Sequence, residues 1–414
     1  IALPKPGDWR QFCIQASRIH ARPLDLSKPL WELYLVEGLD SFLDLPPDSF
    51  AILAKVHHAA IDVRGGAEIT TLLHDTTALP PAPEPPEPWF PESPPGSVSL
   101  LARATINNVL RPLMFAGPLA RAIGRVTPAV LGSLGELLRK DRLAVTRFNS
   151  EVSQHRVFDS RRFFIDEFKR IRDLVPGATL NDAVLAVCGG ALRRYLLAHE
   201  ELPGASVVSL APFSVRAAGA RVEERPELSL IRVPLGTEID DAKKRLRAIY
   251  KHTSTQAGID QAVRATEPTE LDKHAPAATL ALSARLLAGS SLGSPREPLA
   301  GCTIMNVPGP AIPLYLDGAR MTYFSSIMPI ADGMGLVFSV TSYDGMIFIS
   351  PTSCREQLPD PEFFAQCIRD SFQELLALST KPKKGRKKKT VVQKAAAKRK
   401  TVAKRKAAVK RRAA

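Results

Sequence analysis

His57, His58 and Asp62 are the residues of this chain whose types and spacing most directly suggest chemistry. An imidazole titrates near neutral pH, so a positioned histidine can take a proton from a hydroxyl and hand it on to a leaving group. The apolar run that leads into them reads as a strand. A period of two places Phe50, Ile52, Ala54, Val56 and His58 on one face and Ala51, Leu53, Lys55 and His57 on the other. The two rings therefore point apart, and only one readily meets a given substrate. Asp62 has two available jobs: orienting the histidine site, or capping the short helix that Gly65 and Gly66 introduce.

Two other chemistries compete for attention. Two histidines and an aspartate are possible metal ligands, but HHxxxD lacks the helical i, i+4 histidine pair of the zincins, and adjacent strand residues diverge. His74, further along a helix, has no evident ligand partner, so no metal is expected. Gly289-Ser290-Ser291-Leu292-Gly293 fits the G-x-S-x-G pattern of lipases. There the nucleophile sits on a strand-to-helix turn. Here Ala278–Ala288 reads as a helix and Pro295 follows, so the segment is expected to be a loop.

The elements that must position these residues are legible from periodicity. Asp62 to Leu73 reads as a turn and short helix. Pro80 to Pro95 breaks all periodicity and reads as a semi-rigid linker. Residues 98 to 142 are helical in character and carry Arg103, Arg111, Arg121, Arg125, Arg139, Lys140 and Arg142 against only Glu136 and Asp141. Such a segment suits an anionic membrane surface or an ordinary solvated face. Val184, Val187, Cys188, Ala191, Leu192 and Tyr195 follow helical spacing, and Thr179 with Asp182 forms a capping box at its start. Asn181 falls on the buried side of that helix, where an amide either lines a site or makes a structural hydrogen bond. Leu336–Ser342 and Met346–Ser350 flank Asp344-Gly345, a hairpin signal. Asp360-Pro361-Glu362 opens a final amphipathic helix carrying Phe363, Phe364, Cys367, Ile368, Phe372, Leu375 and Leu376.

His57, His58 and Asp62 resemble the HHxxxDG motif of the CoA-dependent acyltransferase superfamily. Lys28-Pro-Leu-Trp-Glu-Leu, Thr179-Leu-Asn-Asp-Ala-Val-Leu-Ala, Asn306-Val-Pro-Gly-Pro and Asp332-Gly-Met-Gly-Leu with Val340-Thr-Ser-Tyr are similar, in the same order, to blocks of the bacterial wax ester synthase/diacylglycerol acyltransferases. Together they span residues 1 to about 378. The sequence departs from the pattern twice: Val63 stands where the family has glycine, and Met305 where it has serine. A β-branched valine suits neither a positive φ nor a close backbone approach. The chain opens at Ile1, and the segment that the family places before its Pro-Leu-Trp block is expected to be missing, so the sequence reads as a fragment.

The resemblance implies an α+β, two-lobed chloramphenicol-acetyltransferase-like architecture with a disordered basic C-terminal tail. Residues 1–79 would form an N-terminal lobe without its first segment, 80–150 the linker and basic helical segment, 151–380 the C-terminal lobe and 381–414 the tail. It also implies an acyl-CoA-dependent O-acyltransferase making triacylglycerol from diacylglycerol, or wax esters from long-chain alcohols. In that reading His58 is the base, His57 and Asp62 hold the geometry, and Asn181 and Asn306 line the substrate tunnel. No cofactor is needed beyond acyl-CoA as co-substrate. The alternative is a catalytically weakened member that binds lipid inclusions through its body and polyanions through its tail.

Composition bounds the partners. The chain has 414 residues and is 45% hydrophobic, enough for a two-domain core. Residues 381–414 hold 17 Lys or Arg and no Asp or Glu, leaving 39 basic against 42 acidic residues elsewhere. The net charge of +14 thus belongs to the tail, and the body does not read as a nucleic-acid-binding domain. The tail repeats Ala397-Lys-Arg-Lys as Ala403-Lys-Arg-Lys and Val409-Lys-Arg-Arg, which suits nucleic acid, polyphosphate or anionic lipid. Five cysteines without CxxC spacing point to a reducing cytoplasm. No apolar run is long enough to span a bilayer, so contact with the inner face of the membrane or with lipid inclusions is expected to be peripheral.

Overall fold

Asp8 starts the first helix, α1 (Trp9–Ala21), by accepting a hydrogen bond from Gln11 N at 2.8 Å while the Gln11 side chain reaches back to Asp8 N, a reciprocal cap. The computed structural model describes residues 1–39, 41, 45–46, 48–57, 65–80, 90, 96–105, 144–215, 227–264 and 300–380. After α1, the strands β1 (Trp31–Val36) and β2 (Ala51–Val56) pair antiparallel as a separate two-stranded sheet, with Trp31 opposite Val56 and Val36 opposite Ala51. The short helix expected after Gly65 is α2 (Gly65–Leu72), and the helical character expected from residue 98 is seen in α3 (Ser97–Thr105). The remainder of the basic segment, most of the proline-rich linker, the Gly289–Gly293 segment and the basic tail lie outside the described residues.

The second half opens with β3 (Arg156–Phe158) and β4 (Arg161–Phe164), followed by α4 (Ile165–Arg172) and α5 (Leu180–Ala198). Then come β5 (Val208–Val215), β6 (Glu227–Pro234), α6 (Ala242–Arg264) and β7 (Cys302–Pro308). A small β8 (Tyr315–Leu316) and β9 (Ala319–Arg320) pair precedes β10 (Val337–Tyr343), β11 (Met346–Cys354) and α7 (Pro361–Thr380). Seven strands form one sheet in the order β3-β11-β10-β7-β5-β6, with β4 also on β11. β7 runs parallel to both β10 and β5, and the remaining pairs are antiparallel. This mixed sheet with helices packed against it is the α+β class expected.

The core centres on α5, in which every residue from Asp182 to Leu192 is buried. A helix apolar all round belongs inside, and α4, α6 and α7 pack around this one. Two glycines let neighbours come close. A Cβ on Gly189 would collide with the Leu235 carbonyl oxygen, and one on Gly190 would collide with Ser371 Oγ. Phe372 of α7 packs against Phe163 and Phe168, with ring centroids 4.4 and 5.0 Å away.

The hairpin is where the sequence places it. Asp344 and Gly345 both take positive φ, at 43° and 76°, as the tight turn between β10 and β11 requires. The final helix begins at Pro361, where a missing N–H costs nothing. Phe364, Cys367, Ile368, Phe372 and Leu375 are buried along it. Phe363 instead points outward and stacks on His199 with an interplanar angle of 3°.

Candidate active site

β2 delivers the histidine motif, and the Pro-Leu-Trp segment holds its end. The backbone N–H of His57 donates to the Leu30 carbonyl at 2.9 Å, so two separate sequence blocks meet at one hydrogen bond. Along β2, Ala51, Leu53 and Lys55 are half-buried while Ile52 and Ala54 are exposed, an alternation that ends at the half-buried Val56. The inward face is therefore the one to which alternation assigns His57, although the His57 side chain itself, at the strand end, is exposed. His58, Asp62 and Val63 lie outside the described residues. His74 Nδ1 lies 2.7 Å from the Thr70 carbonyl, one helical turn back, which gives it a structural partner. Among the described residues no group of three His, Cys, Asp or Glu side chains is arranged to hold a metal ion.

Asn181 sits in the first turn of α5 and is half-buried. Among the described residues its amide has no hydrogen-bond partner. Its neighbour Asp182 is fully employed: it accepts from Thr179 N at 2.7 Å, completing the capping box, and from Thr253 Oγ1 at 2.7 Å. Asn306 lies on β7, opposite Val340 of β10, and is exposed. Among the described residues β7 registers with β5 at Cys302 and Thr303, and Ile304 to Pro308 continue past that pairing beside a fork in the sheet.

The neighbouring residue Met305 lines an apolar cavity of about 180 Å³ with Thr303, Met328, Pro329, Ala331, Met334 and Val337. Around it, the glycine-rich blocks have structural tasks. Asp332 Oδ1 accepts from Val152 N at 2.8 Å, and a Cβ on Gly335 would collide with Gln357 Oε1. Gly309, after Val307-Pro308, donates its N–H to Ser342 Oγ at 3.3 Å, with no room for a Cβ beside the Ser342 carbonyl. The Asn306 block is thereby tied to the end of β10.

Several polar residues that sequence reasoning missed surround the histidine strand. Lys55 Nζ donates to the Ile19 carbonyl at 3.0 Å and to the Arg22 carbonyl, and lies 3.9 Å from Glu32 Oε2. Burial lowers its ammonium below the ordinary lysine range. His20, also on α1, is pushed down to about 4 by burial and by the positive charges of Arg156 and Lys55. At the other end of α1, Trp9 Nε1 donates to Asp159 Oδ1 at 2.7 Å, which also accepts from Arg161 Nη1 at 2.6 Å. The one available signal was Lys55 itself, a charge inside an otherwise apolar strand.

No helix among the described residues is long and apolar enough to cross a membrane. All five cysteines are free and buried.

Comparison with known proteins places this arrangement. Residues 1–184 match the wax ester synthase/diacylglycerol acyltransferase catalytic domain, and residues 227–376 match the C-terminal domain of the same family. The O-acyltransferase WSD of Acinetobacter baylyi is 30% identical over 376 residues, covering 87% of this chain and 76% of that protein. A Mycobacterium bovis protein with the provisional name diacylglycerol O-acyltransferase is 31% identical over 375 residues, covering 90% of this chain and 80% of its own length. The fold is shared with the wax ester synthase/diacylglycerol acyltransferase of Marinobacter aquaeolei VT8, at a TM-score of 0.62 and 24% identity over 91% of this chain and 78% of that one. Two matching domain models and relatives at this identity and coverage show that the chain belongs to the wax ester synthase/diacylglycerol acyltransferase family of O-acyltransferases.

Proposed function

We propose that this acyltransferase joins the acyl group of a long-chain acyl-CoA to the hydroxyl of diacylglycerol or a long-chain alcohol. The observation that carries the proposal is the placement of His57, first residue of the HHxxxD motif, directly after β2 and hydrogen-bonded to the Pro-Leu-Trp block, in a chain that belongs to this family. His58 removes the hydroxyl proton, the oxygen attacks the thioester carbonyl, and the carbon–sulfur bond breaks as the imidazolium returns the proton to the departing CoA thiolate. The products are an ester and free CoA. His57 and Asp62 hold the histidine geometry, and no metal or covalent enzyme intermediate is required.

Asn181 and Asn306 are assigned to polar groups of the substrates. The half-buried Asn181, whose amide has no partner among the described residues, and the exposed position of Asn306 beside the fork support this assignment. The Met-lined cavity supports an apolar chain nearby. Because the acceptor is lipid-soluble, the enzyme works at a membrane or lipid-inclusion surface, on the cytoplasmic side, with the basic tail adding attraction to anionic lipid or another polyanion. A second reading, a catalytically weakened lipid-binding member, is favoured by Val63 alone.

The deciding assay gives purified protein long-chain acyl-CoA with diacylglycerol or hexadecanol and monitors thiol release together with the ester. Stoichiometric CoA and ester support the proposal. Ester without CoA release points to hydrolase-type transacylation, and neither product selects the lipid-binding reading.

A further inference from the structure

Among the described residues the histidine strand has no strand pairing with the main sheet, since β1 and β2 form a sheet of their own. The two sheets are tied together by α1, a 13-residue helix about 20 Å long. Its first turn is fastened to the main sheet, where Asp159 in the β3–β4 turn accepts from Trp9 Nε1 at 2.7 Å and Trp9 packs on Tyr323 with ring centroids 5.2 Å apart. Asp159 is 2% exposed and is itself fixed by Arg161 Nη1 and by Ser160 N, each at 2.6 Å. This end cannot drift without exposing a buried carboxylate.

The other end of α1 is fastened to the histidine strand. A helix C-terminus leaves carbonyls unpaired and carries partial negative charge, so an ammonium is well matched to it. Lys55 Nζ supplies two of its donors to the Ile19 and Arg22 carbonyls, and Glu32, directly across the β1–β2 ladder, lies 3.9 Å from the same nitrogen. The Lys55 side chain is only 14% exposed. The group stands two residues before His57, where the strand's rotation and axial position set the direction in which the histidine pair leaves β2. A salt bridge alone would not do this. Two hydrogen bonds and an ion pair around one partly desolvated ammonium fix both position and angle.

We propose that Lys55 is a positioning residue for the histidine motif, holding β2 to the C-terminus of α1, and that Asp159 anchors the opposite end of the same strut to the main sheet. Removing the ammonium releases the end of β2 while leaving both sheets formed. Misplacement of a reacting group by about 1 Å costs on the order of 100-fold in rate, with little effect on ground-state binding.

The test uses the full chain, with Lys55→Met to keep the hydrocarbon stem, Lys55→Arg to restore a cation, and Asp159→Asn to loosen the far anchor. Under the acyl-transfer activity proposed above, on which the kinetic arm rests, Lys55→Met lowers kcat about 10- to 100-fold per folded enzyme. KM for acyl-CoA stays within about twofold, and Lys55→Arg recovers most of the loss. Hydrogen exchange read by mass spectrometry supplies an arm that needs no activity: peptides covering 50–57 exchange faster in Lys55→Met, while those covering 337–354 do not change. Asp159→Asn accelerates exchange over 9–22 as well as 50–57.

Unchanged protection of 50–57 overturns the proposal. So does a fall in activity that merely tracks the folded fraction, or faster exchange spread evenly over the chain. If the wild-type protein transfers no acyl group, the functional reading fails by itself, and the exchange pattern still decides whether the strut exists.

Discussion

Acidification should weaken this protein through His20, and the size of the effect is set by where that ring sits. It lies on α1 close to Arg156 and Lys55, its Nδ1 is buried without a hydrogen-bond partner among the described residues, and burial with the two cations lowers its pKa from 6.5 to about 4. In the unfolded chain the ring protonates near its ordinary value, so between these limits the unfolded state binds more protons and stability falls as the pH falls. The contribution is fully present above pH 6.5, is lost progressively as pH falls from there, and is gone once pH has fallen through the folded value of about 4. Fully expressed, the difference is worth roughly 3 kcal/mol, of which about 2 kcal/mol is already lost at about pH 5. His20→Gln removes the titration and keeps a polar side chain of similar reach. Urea unfolding at about pH 7 and pH 5 should show the wild type losing roughly 2 kcal/mol more than His20→Gln over that interval. Equal losses in the two proteins would refute the reasoning and place the ring in water.

His58→Ala should lower acyl transfer by about 10² to 10⁴ with the fold intact, since general-base catalysis commonly contributes that much. Ser291→Ala should leave turnover unchanged; a full loss there, read in the same CoA-release assay, would install a serine nucleophile instead. Deleting residues 381–414 should leave transfer to a soluble acceptor unaltered and reduce sedimentation with anionic vesicles. Attraction in the intact chain should weaken with salt, because exposed charges are screened over about 10 Å at roughly 0.1 M. Val63→Gly should raise turnover if valine strains the turn after Asp62, a conformation that costs about 1 to 3 kcal/mol. Loss of activity in a folded glycine variant would make Val63 a working part of this enzyme.

The sequence read best where one local rule decided the outcome. Asp344-Gly345 could only be a tight hairpin, and Thr179 with Asp182 closed the capping box that their spacing suggested. The histidine strand was legible from alternation. Its supports were not, because they act across long separations: Trp9 meets Asp159, 150 residues away, and Lys55 caps a helix ending more than thirty residues earlier. No periodicity encodes which strand end approaches which helix end. Asn181 was recognised as a buried-side amide, yet its half-buried position at a helix start depends on the packing over α5. Phe363 fitted the apolar stripe of α7 by spacing, and only the neighbouring His199 ring explains why it faces outward. The cavity beside Met305 brings together residues from β7, β10 and the segment between them, a conjunction that exists only after folding.

The fork between β5 and β7 has a consequence for how the molecule holds together. The β5–β6 hairpin is joined to the sheet through only two registered positions, Ser209 with Cys302 and Leu210 with Thr303, whereas β10 is paired along its length on both sides. Cooperativity is therefore graded across one continuous sheet. Backbone amide exchange should accordingly be slowest in β10 and its two neighbours and faster in β5 and β6. Asn306 stands at the seam between them.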